Sequence, residues 1–140
     1  MKQLIVLLGL LIISLAAAGQ DNPGDKPVAP YSPARLTQSG ILFISGQIPL
    51  DPESGKIMKG DISEETKLVM EKIGRILEKN GMGYSDLVKC TVFLTDIRDY
   101  QAVNKVYADF FKDIFPAREA IEVSNLPLGA SIEISGIASK

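Results

Sequence analysis

The chain changes its hydrophobic period several times, and this alternation constrains the fold more than any other feature. Period-two runs predict strands, and apolar residues at helical spacing predict helices. The predicted order is a hairpin turning at Gly40, a helix, a strand, a helix and two strands. We therefore predict an α+β domain with a single mixed β-sheet and two helices on one face. The strands cover 34–39, 41–47, 87–94, 118–123 and 131–138, and the helices cover 61–80 and about 99–111.

Local signals refine these elements. Ser63 is a plausible cap for the first helix, and Gly81 should end it in a left-handed conformation. In the strand over 87–94, alternation predicts one face made of Val88, Cys90, Val92 and Leu94. Because no histidine is present to activate its thiol, Cys90 is expected to pack in the core rather than to act as a nucleophile.

Composition excludes several classes of site. The 140 residues contain no histidine and one cysteine, so a Ser-His-Asp triad, a Cys-His pair, a histidine zinc site and an internal disulfide are impossible within one chain. We expect no metal and no cofactor. The formal charge of -2 and the lack of a basic stripe give no electrostatic case for nucleic-acid binding. Any chemistry must rely on carboxylates, hydroxyls, backbone groups, guanidinium groups and water.

The N-terminus has the pattern of an export signal. Lys2 is followed by an apolar run and then by small residues suited to signal peptidase. The run is shorter than the ~20 apolar residues that span a bilayer, so we expect no stable membrane anchor. We predict a signal peptide over 1–19, an extended proline-containing tether over 20–30, and one domain over 31–140. The mature protein would then be periplasmic or secreted; an uncleaved anchor is the alternative.

Arg118 is the residue that points most directly to chemistry. Pro116 cannot continue a preceding helix, and the alternating residues that follow predict a strand that Arg118 opens. A guanidinium on such a rigid element can bind a carboxylate through two parallel hydrogen bonds. A surface arginine in an ordinary ion pair is the alternative.

Several short motifs occur in an order that resembles the reactive intermediate deaminase (Rid, or YjgF-like) family, and its archetypal A subgroup in particular. The resemblance covers nearly all of 30–138. It is carried by Pro30-Tyr31-Ser32, Phe43-Ile44-Ser45-Gly46-Gln47-Ile48-Pro49, Val88-Lys89-Cys90-Thr91-Val92-Phe93-Leu94, Val103-Asn104-Lys105-Val106-Tyr107, Phe115-Pro116-Ala117-Arg118, Leu126-Pro127 and Ile132-Glu133-Ile134.

The resemblance implies a chorismate-mutase-like fold and a homotrimer with three clefts between subunits. It implies hydrolysis of 2-imino and enamine acids, such as 2-aminoacrylate and 2-iminopropanoate, to 2-keto acids and ammonia. By motif position, Arg118 resembles the family's carboxylate-binding arginine and Glu133 its water-orienting carboxylate. The resemblance also implies that the rest of the cleft is lined by Tyr31, Ser45, Asn104 and Ala120.

The chain also departs from the family pattern. Ala120 stands where many members have cysteine, Pro33 replaces a usual glutamine, and Ser135-Gly136 replaces a common Glu-Ala pair. The resemblance implies that the Ala120 position acts largely through its backbone, so alanine can keep the site without a thiol. These differences bear on substrate preference more than on the basic chemistry.

Each proposed site residue has a structural alternative. Tyr31 can be a packed aromatic, Ser45 can satisfy a local backbone group, and Asn104 can be an ordinary helix residue. Glu133 can pair with Arg118 across neighbouring strands. At the level of function, the alternatives to a deaminase are a non-catalytic binder of small carboxylates and an endoribonuclease or translation inhibitor.

Overall fold

The computed structural model describes residues 30–140, which form one mixed sheet and two α-helices. The signal peptide predicted over 1–19, and all of the predicted tether except Pro30, lie outside the described residues. Within residues 30–140, neither helix is long and apolar enough to cross a membrane. The elements in chain order are β1 (Ala34–Leu36), β2 (Ile41–Gln47), α1 (Ile62–Lys79), β3 (Leu87–Leu94), α2 (Tyr100–Ala108), β4 (Ala117–Glu122) and β5 (Ile132–Ser139).

The sheet has the strand order β1-β2-β5-β3-β4. Gly40, at a φ of 84°, turns the chain between β1 and β2, as predicted for the hairpin. β5 pairs antiparallel with β2 and β3, whereas β3 and β4 are parallel. Parallel neighbours need a crossover connection, and α2 provides it. The crossover places α2 beside β4, the edge strand on which Arg118 lies. The predicted fold class is confirmed.

Both helices pack on one face of the sheet and enclose the core there. The buried side chains include Val69, Met70, Ile73 and Leu77 of α1, Val103 and Tyr107 of α2, and Cys90, Val92 and Leu94 of β3. Cys90 is fully buried, and burial raises the pKa of its thiol above the usual value of 9.0. The cysteine is therefore a core residue, as expected from the sequence.

The start of α1 differs from the prediction. Asp61, not Ser63, caps the helix, because the Asp61 carboxylate accepts hydrogen bonds from the backbone N–H groups of Ser63 and Glu64, each at 2.9 Å. A carboxylate at this end is also favoured by the helix dipole. The end of the helix is as predicted, since Gly81 has a left-handed φ of 67°.

The predicted face of β3 is correct for Cys90, Val92 and Leu94 but wrong for Val88, which is 50% exposed. The pairing register with β5 shifts between Leu87 and Lys89. Such a shift marks a β-bulge or similar irregularity, which breaks strict alternation and turns the neighbouring side chain outward.

Candidate active site

Arg118 lies on the helix-covered face of the sheet, beside α2. Its partner in β3 is the buried Cys90, so both side chains leave the sheet on the same side. A pocket of about 280 Å³ opens here; it is lined by Asn104, Tyr107, Ala108, Phe115, Pro116 and Arg118. The alternative, an ordinary surface ion pair, is not observed, since no carboxylate among residues 30–140 lies within salt-bridge distance of the Arg118 guanidinium.

Side chains of α2 hold the guanidinium in place. Arg118 Nη2 donates hydrogen bonds to Asn104 Oδ1 at 2.5 Å and to Tyr100 Oη at 3.3 Å. The guanidinium carbon lies 4.7 Å from the centre of the Tyr107 ring, within the range of a cation–π interaction. Tyr100, Asn104 and Tyr107 occupy positions i, i+4 and i+7, so one face of α2 supplies all three contacts. Asn104 is therefore not just a polar residue on the helix surface, because its side chain orients the Arg118 guanidinium.

Glu133 lies on β5, where its partner in β3 is Phe93. Its side chain passes directly over Gly46: a Cβ built on that glycine would be only 1.7 Å from Glu133 Oε1. Partial burial raises the pKa of the Glu133 carboxyl above its usual 4.5. A carboxyl group with a raised pKa is a better proton acceptor than an exposed one.

Arg118 and Glu133 lie on opposite faces of the same sheet. Arg118 is opposite Cys90 and Glu133 is opposite Phe93, and these two β3 residues are three positions apart. Side chains an odd number of positions apart point to opposite faces. Strand β3 also separates β4 from β5. The alternative in which Glu133 pairs with Arg118 across neighbouring strands is therefore wrong, and one protomer does not bring the two residues together.

The remaining predicted residues fall into two groups. Tyr31 is 55% exposed, and Ser45 donates a hydrogen bond to the Ser32 carbonyl at 2.7 Å, so Ser45 does satisfy a local backbone group. Tyr31 precedes β1, and Ser45 lies on β2. In the sheet, β5 and β3 separate β2 from β4, the strand that carries Arg118. Ala120 instead lies two residues after Arg118 on the edge strand β4, on the same face, and packs against the core.

Sequence reasoning missed Tyr100 and Gly46 as site residues. The signal for Tyr100 was its spacing of four residues from Asn104 on a predicted helix. Gly46 belongs to the family motif over 43–49, but only the structure shows that glycine, which has no side chain, makes room there for Glu133. Within residues 30–140, no group of three aspartate, glutamate or cysteine side chains gathers in a way that would hold a metal ion.

Comparison with known proteins identifies the family to which the chain belongs. The model of the family described as endoribonuclease L-PSP matches residues 21–140. The human 2-iminobutanoate/2-iminopropanoate deaminase is 43% identical over 127 residues, covering 91% of this chain and 88% of the human protein.

Two solved structures extend the comparison. A Yersinia pestis protein of unknown function from the conserved Rid protein family is 44% identical with a TM-score of 0.78, and the match covers 81% of this chain and 90% of that one. Escherichia coli TdcF with bound serine is 33% identical with a TM-score of 0.76 over the same shares. The chain therefore belongs to the Rid family, as the order of its motifs suggested.

Proposed function

We propose that this protein hydrolyses reactive 2-imino and enamine acids to 2-keto acids and ammonia. The observation that carries the proposal is the state of Arg118. Its Nη2 atom is engaged by α2, whereas Nη1 and Nε have no hydrogen-bond partner among residues 30–140. A guanidinium that is held firmly yet keeps free donors beside a pocket is suited to bind the carboxylate of such a substrate.

The reaction needs little from the protein beyond position and proton transfer. The imine carbon is already electrophilic, so water can add to it without a protein nucleophile. Glu133 accepts a proton from the water as the new C–O bond forms and passes that proton to the nitrogen, which gives a carbinolamine. A second proton then moves by the same route from the new hydroxyl to the nitrogen, the C–N bond breaks, ammonia leaves, and the carbon keeps the oxygen as a ketone. An enamine such as 2-aminoacrylate first gains a proton at its terminal carbon and loses one from its nitrogen to give the imine.

The positions of Arg118 and Glu133 require a second copy of the chain for this mechanism. Because the two residues lie on opposite faces of one sheet, we propose that Arg118 of one protomer meets Glu133 of its neighbour in a homotrimer. The face that carries Glu133 also exposes apolar side chains, including Phe43 at 48% and Ile121 at 44%. Such a face is suited to burial between subunits.

Similar proteins support the substrate class. The human relative carries the name of an imino acid deaminase, and the E. coli relative was solved with serine, which has a carboxylate next to an amine. Both features fit a site in which a guanidinium with free donors at Nη1 and Nε receives a 2-amino, 2-imino or 2-keto acid.

A coupled assay tests the proposal. An amino acid oxidase generates 2-iminopropanoate from alanine, and a scavenging amine competes for the imine. The protein should accelerate keto acid release, and Arg118→Ala should abolish the acceleration. Arg118→Lys should also be poor, because an ammonium group cannot copy the planar fork. Keto acid binding without any acceleration would instead establish the non-catalytic carboxylate binder.

The family description also raises endoribonuclease activity as a second candidate. The formal charge of -2 and the absence of a basic cluster in the sequence oppose it, since affinity for nucleic acid depends on phosphate neutralisation. Incubation of the same preparation with single-stranded RNA decides the point: cleavage that survives in Arg118→Ala and tracks the protein through purification would favour the nuclease.

We further propose that the protein is exported after removal of its first 18 or 19 residues. The charged start, the short apolar run and the small residues that follow support this. Mass spectrometry of the protein from its host gives the answer, because an intact Met1 on a cytosolic protein would contradict export.

A further inference from the structure

Glu65 is the only acidic or basic residue that is buried among residues 30–140, with an exposure of 4%. A glutamate is rarely buried unless its carboxylate is paired or hydrogen-bonded, because the charge otherwise loses its solvation by water. No lysine or arginine in the described part of the chain lies within salt-bridge distance of this carboxylate. Glu65 lies in the first turn of α1, where the helix dipole favours a negative charge. The proposed reaction does not use Glu65, so its burial calls for another role.

Both carboxylate oxygens of Glu65 contact one residue, Ser131. Oε2 accepts a hydrogen bond from the Ser131 backbone N–H and Oε1 accepts one from the Ser131 hydroxyl, each at 3.3 Å. The Ser131 carbonyl in turn accepts a hydrogen bond at 3.1 Å from the backbone N–H of Thr95, the residue after β3. Ser131 immediately precedes β5, so the start of this strand is held between α1 and the end of β3.

Strand β5 has a partner on only one side where Glu133 lies. Its pairing with β2 extends to Ile134, opposite Gln47, and β2 ends at Gln47. Glu133 therefore has a partner in β3, Phe93, but none in β2. Because the ladder restrains Glu133 from one side alone, the contact that holds Ser131, two residues earlier, is a second restraint on its position.

We propose that Glu65 is a positioning residue, which fixes the start of β5 through Ser131 and so keeps the Glu133 carboxylate in place over Gly46. This inference rests on the proposed function. Glu133 passes so close to Gly46 that a Cβ on that glycine would lie 1.7 Å from Oε1, so the position of the carboxylate depends on how the strand lies. A proton acceptor must lie within hydrogen-bonding distance of the water that it activates, and a displacement of about 1 Å can lower a rate by roughly 100-fold.

The variant Glu65→Leu tests this role, because leucine fills a similar space but accepts no hydrogen bond. We expect kcat in the imine assay to fall roughly 10- to 100-fold. The Kd of 2-oxobutanoate, measured by calorimetry, should stay unchanged, since the keto acid is bound at Arg118 on β4, which Glu65 does not contact. Glu65→Gln should restore kcat, because its carboxamide oxygen can accept from the Ser131 N–H and its NH₂ group can donate to the Ser131 hydroxyl.

Thr66→Val is the matched control on the same helix. Thr66 is also fully buried, but its hydroxyl donates to the Ile62 carbonyl at 2.6 Å within α1 and not to β5. This variant should leave kcat unchanged even if it lowers the melting temperature. If Glu65→Leu fails to fold, Ser131→Ala decides the point: it removes one of the two hydrogen bonds to Glu65 and should lower kcat by a smaller factor.

The outcomes separate this inference from the proposed function. The role of Glu65 alone is overturned if the wild type hydrolyses imines but folded Glu65→Leu, or Ser131→Ala in its place, keeps the wild-type kcat. It is also overturned if Thr66→Val loses as much kcat, if Glu65→Gln is as slow as Glu65→Leu, or if keto acid affinity falls along with kcat. If the wild type does not accelerate imine hydrolysis, the proposed function fails and the inference fails with it.

Discussion

Mixed trimers of two inactive variants should regain activity. Arg118→Ala removes a charge-assisted contact to the substrate and should cost on the order of 2–5 kcal/mol in transition-state binding. Glu133→Gln keeps the shape of the side chain but removes the proton acceptor, so it should lower kcat while sparing keto acid affinity. Each homotrimer is therefore expected to be nearly inactive, for a different reason.

The size of the recovery follows from the geometry. Suppose that each cleft takes Arg118 from one protomer and Glu133 from the next around the ring. Every trimer with two protomers of one variant and one of the other then contains one cleft in which both residues are native. Purified mixed trimers should show about one third of the wild-type turnover, because one of the three equivalent clefts is intact.

The assay uses co-expression of the two variants with different affinity tags and two successive purifications, so that only mixed assemblies remain. Light scattering confirms the trimer, and the imine assay measures turnover against both parent homotrimers. Mixed trimers as inactive as their parents would refute the shared cleft, because a site within one protomer can never be complete in this mixture. A protein that stays monomeric at micromolar concentration would refute it as well.

Three further predictions follow from single contacts. Gly46→Ala should still fold, because only the flexible end of Glu133 has to move, and circular dichroism will show this. The new Cβ would lie 1.7 Å from Glu133 Oε1, so it should displace that carboxylate and lower kcat in the turnover assay. Asp61→Ala should lower the free energy of unfolding by about 1 kcal/mol in denaturant titrations, whereas Ser63→Ala should have little effect since Ser63 is not the cap. In a dissociated protomer, where no neighbouring guanidinium reaches the carboxyl, Glu133→Gln should be more stable than the wild type at pH 7 but not at pH 3. The raised pKa of Glu133 means that the folded state binds the proton more tightly, so the wild type loses stability as the pH rises from the unfolded pKa through the folded one. Thermal melts of dilute, dissociated protein are the measurement. A wild type that is as stable as Glu133→Gln at pH 7, or more stable, would contradict this prediction.

Much of the fold could be predicted because its signals are local. Gly40, Gly81 and Pro116 mark a turn, a helix end and a strand start through their own backbone restrictions, and each acts as expected. The errors concern choices that local patterns do not resolve. Asp61 and Ser63 are both good capping residues, and the bulge that turns Val88 outward depends on pairing with β5, far along the chain.

The site was harder to predict because its geometry depends on strand order. The sequence indicated Arg118 and Glu133 as the pair that carries the chemistry, through motifs on β4 and β5. It could not show that β3 lies between these strands or that the two side chains leave the sheet on opposite faces. Tyr100 could have been found from its spacing to Asn104, but only once Arg118 was known to face α2.

The proposed cleft makes the basicity of Glu133 depend on the substrate. Burial raises the pKa of Glu133 in a single protomer, but a nearby guanidinium favours the carboxylate and lowers its pKa. In the empty cleft these effects oppose each other. When the substrate carboxylate pairs with Arg118, it cancels much of the positive charge, and burial then dominates. Glu133 thus becomes the stronger base when there is an imine to hydrolyse. The acid limb of kcat, which reports the substrate complex, should lie at higher pH than the acid limb of kcat/KM, which reports the free enzyme. Coincident limbs, or the reverse order, would show that Arg118 and Glu133 do not share a cleft.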